Sequence, residues 1–226
     1  MSLSSTQNRR EWLMTGGKAF LIAVALLAGC AVASAQEEVG AGTLEVGGFP
    51  AGGLYLVGGD DNLEMNFNDY VYGGGVTWYV NPLVAVEAEG LGGIGIAQDV
   101  ILRNRELSHN FVPNMLGVSG NIVVFPAGSR RQVAPYVTGG VGTLTLLSRG
   151  TKTRNFALDE AETFFSTNVG GGLKIFRGGD ARNWGWRGDY RLVMVNSKSD
   201  AVPFFAQSKR RMGHRIELGM FYTLKR

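Results

Sequence analysis

The residues in this chain that could do chemistry are few, and their spacing excludes most of it. The two histidines, His109 and His214, lie far apart, and the one cysteine, Cys30, supplies neither a disulfide nor a CxxC metal or redox pair. Ser108, His109 and Glu106 are of the types that make a nucleophile, a base and an acid. Ser108 directly adjoins His109, however, whereas hydrolytic sets converge from separate parts of a fold. Asp60, Asp61, Glu64 and Asp69 offer the hard oxygen ligands that calcium takes, but their order does not match an EF-hand loop. No catalytic residue, metal centre or cofactor is expected. The chemistry that remains is electrostatic: Glu45, Glu87, Glu89, Asp189 and Glu217 against Lys174, Arg187, Arg191 and Arg215, on stretches where charged and apolar residues alternate.

Alternation with period two is the mark of half-buried strands, and it recurs along the chain between Gly, Pro, Asn and Asp. Eight runs follow from it: 43–56, 70–81, 83–97, 111–125, 134–147, 164–177, 184–196 and 212–225. Pro50 and paired glycines interrupt the first, and one or two helical turns fit Asn155–Thr163. No stretch after Ala35 is long and apolar enough for a transmembrane helix. The connections alternate in length. Val57–Asp69, Gln98–Asn110, Ser148–Thr163 and Ser197–Arg211 are long; Asn81-Pro82, Pro126–Val133 and Arg177–Asn183 are short. An even number of strands with short turns at one end and long loops at the other describes an up-and-down barrel in an outer membrane.

Parity then assigns the faces. In the last run Ile216, Leu218, Met220, Tyr222 and Leu224 oppose Arg215, Glu217, Gly219 and Thr223. In the seventh, Trp184, Trp186, Tyr190, Leu192 and Met194 oppose Arg187, Asp189 and Arg191; in the third, Val84, Val86 and Ala88 oppose Glu87 and Glu89. Glu45 and Lys174 obey the same rule. The rest of the polar face is small, with Gly73, Gly75, Thr77, Gly117, Ser119, Asn121, Asn168, Gly170 and Gly172. Small residues and a balanced set of acids and bases suit a narrow lumen in which buried charges need partners. Runs seven and eight place Arg191 and Asp189 beside Arg215 and Glu217, and His214 reads as a polar lumen or rim residue. Aromatics gather where runs meet the short turns (Trp78, Tyr79, Phe125, Tyr136, Phe176, Trp184, Tyr222) and the long loops (Tyr70, Tyr72, Phe111, Phe164, Phe165), as interfacial girdles would.

Residues 1–35 have the order of a secretory signal: basic Arg9, Arg10 and Lys18, an apolar run Ala19–Ala28, and Ala33-Ser34-Ala35 as a cleavage site. Leu27-Ala28-Gly29-Cys30 also fits a lipobox, which makes Cys30 a possible lipidation site; cleavage after Ala35 removes it. The leader holds three bases and one acid, so Lys+Arg falls from 22 to 19 and Asp+Glu from 19 to 18 without it. A mature charge near zero gives no reason to expect nucleic-acid binding. The domains expected are a signal peptide (1–35), a short lead (36–42) and a barrel (43–226).

The leader, the eight runs and the stretches "YGGGVTWYVNPLVAVEAEG", "PYVTGGVGTL", "WGWRGDYRLVMV" and "HRIELGMFYTL" resemble the bacterial outer-membrane β-barrel proteins of the OmpA/OmpX-like class across residues 40–226. The resemblance implies an all-β, eight-stranded antiparallel up-and-down transmembrane β-barrel in the outer membrane of a Gram-negative cell. It also implies a monomer inserted by the barrel assembly machinery and in contact with outer-membrane lipids and lipopolysaccharide. One departure is the ending Leu224-Lys225-Arg226, where such barrels often finish on an aromatic; Phe221 and Tyr222 are the nearest substitutes. The function expected is a structural or surface-interaction role, not an enzymatic one, with at most a small gated conductance. Two alternatives stand beside it: a soluble periplasmic lipocalin-like barrel with its apolar face inward, and a lipid-modifying outer-membrane enzyme.

Overall fold

The computed structural model describes residues 39–60, 63–102, 105–107, 114–129, 131–147, 161–178, 183–196 and 210–224. The signal segment, Cys30, Ser108, His109 and Phe111 lie outside these residues. Nine strands are present: β1 (Leu44–Asp60), β2 (Leu63–Tyr79), β3 (Val84–Leu102), β4 (Arg105–Leu107), β5 (Asn114–Val124), β6 (Val133–Leu147), β7 (Glu162–Arg177), β8 (Trp184–Asn196) and β9 (Arg210–Leu224). Every pairing is antiparallel. Eight of the strands form a ring, because β1 pairs with both β2 and β9 while β2 pairs with β3; β4 only folds back on the end of β3. A closed ring leaves no edge for another chain to pair with.

The strands follow the period-two runs closely, with two corrections. In the stretch 57–69, expected to be a loop, residues 57–60 and 63–69 are strand: β1 and β2 stay paired up to Asp60 opposite Leu63. The reason is visible in Leu63-Glu64-Met65-Asn66-Phe67-Asn68, which alternates apolar with polar residues despite its acids. β3 likewise continues into the expected second loop as far as Leu102. The helical turns expected at 155–163 are not formed where the chain is described, since Glu162 and Thr163 belong to β7.

The register of β1 shifts between Phe49 and Gly52 against β2 and between Gly48 and Ala51 against β9, an inserted residue that reverses parity along the strand. Glu45 is inward before the shift, and Leu54 and Leu56 are inward after it. Pro50, which has no N–H to offer a ladder, sits at this bulge. The Tyr70 hydroxyl donates to its carbonyl.

At the short-turn end, Asn81 Oδ1 accepts from the backbone N–H groups of Leu83 (2.8 Å) and Val84 (2.9 Å), closing β2 onto β3. Gly128, in the next short turn, has φ +80°, a backbone state that costs glycine least. Ser129 of that turn donates its N–H to Pro82 O at 2.8 Å, so two turns hold each other.

Outward residues of the strands are broadly apolar and exposed, among them Val118 at 64% and Leu218 at 63%. Inward residues stack in three layers. At the short-turn end lies an aromatic floor of Tyr79, Phe125, Tyr136, Phe176 and Phe221, closed below by Val39. Charged and amide side chains fill the middle. Towards the long connections Leu54, Leu56, Met115, Leu146, Phe164 and Val195 form an apolar collar. The lumen was expected to be polar throughout, and the collar corrects that.

Candidate functional site

The middle layer contains all nine charged residues expected in the lumen, and each is buried or nearly so. The ladder alone would set them against one another. Asp189 is level with Glu217, Arg191 with Arg215, and Lys174 with Arg187. Like charges on adjacent strands repel, so their compensation has to come along each strand or from across the lumen.

Along the strands Asp189 pairs with Arg187 and Arg191, and Glu217 with Arg215; across the lumen the acids come from β3, four strands around the ring from β8 in either direction. Glu87 receives Arg187 through both guanidinium Nη atoms, and Arg191 Nη2 reaches its Oε1 at 2.8 Å. Thr77 Oγ1 (3.3 Å) and Asn121 Nδ2 (3.2 Å) donate to the same carboxylate. Arg191, fully buried, also meets Glu89 Oε2 at 3.0 Å and Asp189 Oδ1 at 2.9 Å, so three acids surround one guanidinium. Arg215 Nη2 donates to Glu89 at 2.6 Å. Its Nε lies 3.0 Å from Glu217 Oε1, close enough to pair in charge without the alignment of a hydrogen bond. The amides extend the network, with Asn168 Nδ2 donating to Asn121 Oδ1 at 2.9 Å.

Lys174 is a second, separate pair. Its Nζ donates to Glu45 Oε1 at 2.6 Å and to the Tyr79 hydroxyl at 3.1 Å, while that hydroxyl donates to Glu45 Oε2 at 2.7 Å. The rings of Tyr79, Phe125, Tyr136 and Phe221 lie 5.4–5.9 Å from Nζ. Ring faces supply negative potential where water cannot reach.

This explains a correction to the girdles. Phe125 and Tyr136 point inward and build the cage over Lys174, and Phe164 points inward into the collar. Tyr79 and Phe176 are inward as well. Position near a strand end suggested a girdle for them, but parity decides the face. Of the expected girdle residues, Tyr72, Trp78 and Trp184 are exposed on the outward wall, with Tyr222 half-buried there. Tyr136 proves to be a member of the network: its hydroxyl donates to Asp189 Oδ2 and accepts from Arg187 Nε at 2.9 Å. Its parity with Thr138 could have revealed this.

Two further residues depart from expectation. His214 is exposed on the outward face of β9, not in the lumen, because it shares parity with Ile216. Asp69 is buried on the inward face of β2, away from any solvent-side calcium position. The side chains of Asp60, Asp61 and Glu64 lie outside the described residues, and among those described no group of acids, histidines or cysteine is placed to hold a metal.

Inward glycines make room for the large cations. A Cβ on Gly170 would sit 2.9 Å from Arg191 Cγ and 2.1 Å from Tyr190 O. The voids that remain near the network are about 10 and 30 Å³, of the order of single water molecules.

A closed antiparallel barrel with an apolar exterior and a charged, filled interior defines a transmembrane β-barrel protein. The chain belongs to the outer membrane protein beta-barrel domain family, which matches residues 21–210, and its location is the bacterial outer membrane. Among solved structures it is similar to the N-terminal β-barrel domain of Pseudomonas aeruginosa OprF, at 12% identity and a TM-score of 0.50 over 82% of this chain and 99% of that one. It is also similar to Pseudomonas aeruginosa OprG, at 13% identity and a TM-score of 0.49 over 83% and 98%. No curated protein matches in sequence. The soluble lipocalin-like alternative is overturned by the family and by the outward apolar wall.

Proposed function

We propose that this protein is a sealed, non-enzymatic barrel of the outer membrane, serving as a structural and surface-interaction element and not as a diffusion channel. One observation carries this reading: the buried Arg191 guanidinium is held by Glu87 and Glu89 from across the lumen and by Asp189 of its own strand, between an aromatic floor and an apolar collar. Opening a path for ions requires breaking a multiply satisfied charge cluster and also wetting two apolar layers. The long connections would carry any surface interaction, and the segment 197–210, with Lys198, Lys209 and Arg210 against Asp200, suits contact with lipopolysaccharide. The barrel is proposed to be monomeric and to be inserted by the barrel assembly machinery. A lipid-modifying activity draws no support from His214, whose ring is engaged by Tyr190 on the outer wall.

Planar-bilayer recordings of purified protein test the reading. Wild type is expected to be silent, and so is Arg191→Ala, because the floor and collar remain. Stepwise currents from wild type would overturn the sealed barrel. Currents from the variant alone would show that the ion pairs are a gate.

A further inference from the structure

The outward wall towards the long connections carries one imidazole in an apolar column. Along β9 the outward residues run Met212, His214, Ile216, Leu218 and Met220, all exposed. His214 Nδ1 lies 2.7 Å from the Tyr190 hydroxyl of β8, with ring centroids 6.1 Å apart. The register sets Tyr55 of β1 beside His214, and Asn68 of β2 beside Tyr55. Tyr55, Tyr70, Tyr72 and Tyr190 are all exposed on this side. Such a belt of amphipathic side chains marks the level where acyl chains give way to headgroups. The outward residues Tyr190, Leu192 and Met194 of β8 and Met212, Ile216, Leu218 and Met220 of β9 around it carry no charge.

In the tautomer whose Nδ1 accepts the tyrosine hydroxyl, the imidazole proton resides on Nε2, the nitrogen left to meet the lipid. An N–H facing the bilayer without an acceptor is costly, and the strongest acceptors at this depth are phosphate oxygens. The charge on the phosphate oxygen makes that contact a charge-assisted hydrogen bond. In the outer leaflet the lipid that presents phosphate at this level is the lipid A portion of lipopolysaccharide. We propose that His214, oriented by Tyr190 and flanked by Tyr55 and Asn68, is a lipid A phosphate site on the outer wall of β8 and β9. The site rests on the outer-membrane barrel reading and is distinct from the loop contacts proposed above.

The test uses protein purified from outer membranes and placed in phosphatidylethanolamine nanodiscs containing bisphosphorylated lipid A, dephosphorylated lipid A or phosphatidylglycerol. Lipid retained on the protein is counted by native mass spectrometry. Wild type is expected to retain bisphosphorylated lipid A over the other two. His214→Leu is expected to lose about tenfold in retention, the size of one charge-assisted hydrogen bond, and Tyr190→Phe to lose part of it. Equal retention by wild type and His214→Leu would overturn the site, as would equal retention of dephosphorylated lipid A or of phosphatidylglycerol. Heat-modifiable migration on gels checks each protein first. If His214→Leu does not fold, His214→Gln decides in its place, with retention expected below wild type. A wild type that itself lacks heat-modifiable migration would count against the barrel, not against the site.

Discussion

At the scale of single residues, the lumen shows how a fold holds charges that water cannot reach. Lys174 is the clearest case, because its partners are few and known: Glu45, the Tyr79 hydroxyl and a cage of ring faces. Removing one member of a buried pair leaves the other uncompensated, whereas removing both leaves only a packing change. Lys174→Met is therefore expected to destabilise the barrel by about 3–5 kcal/mol. Lys174→Met combined with Glu45→Gln is expected to recover most of that loss, since the amide can still accept from Tyr79. Urea unfolding in lipid vesicles, followed by tryptophan fluorescence, measures both. Equal losses for the single and double variants would mean that the pair is not what holds this end closed.

At the scale of strands, glycine has two different jobs, and parity separates them. Inward Gly170 lies under Arg191, where an added methyl would meet Tyr190 O at 2.1 Å and Arg191 Cα at 2.7 Å. Outward Gly120 has nothing within 4 Å of an added Cβ. Gly170→Ala is expected to cost about 1–3 kcal/mol through overpacking against backbone. Gly120→Ala is expected to be neutral or to gain up to about 1 kcal/mol through a stiffer unfolded chain. The same unfolding titration distinguishes them, and a reversed order would contradict the assignment of faces. The bulge at Pro50 belongs to this scale too. One extra residue in β1 keeps Glu45 in the charged layer and Leu54 and Leu56 in the collar, although the two groups differ in parity.

At the scale of the whole molecule, the described outward wall is broadly apolar and the interior is layered. Trp78, Trp184 and Trp186 are all exposed on the outward wall, towards the short-turn end. With residues 1–35 removed, and Trp12 with them, all tryptophan emission should come from the lipid side. Brominated lipids are expected to quench most of it, more strongly when bromine is near the headgroup than at the chain end. Emission untouched by brominated lipid would contradict a bilayer-facing wall.

Much of this was legible in the chain because a strand's period of two is local. Eight runs, their faces and the nine lumen charges follow from alternation, since a side chain's face depends only on its neighbours along the strand. The positions of Phe125, Tyr136 and Phe164 were available on the same rule and were obscured by their places near strand ends. His214 belongs with them, its parity with Ile216 putting it on the outer wall. What alternation does not contain is ring closure and stagger. Only the closed barrel decided that Arg191, already beside Asp189 on its strand and level with Arg215 on the next, would also meet Glu87 and Glu89 from the far side. Only the bulge decided which half of β1 faces inward. Pairing across a lumen joins residues a hundred positions apart in sequence, and a local pattern has no term for that distance.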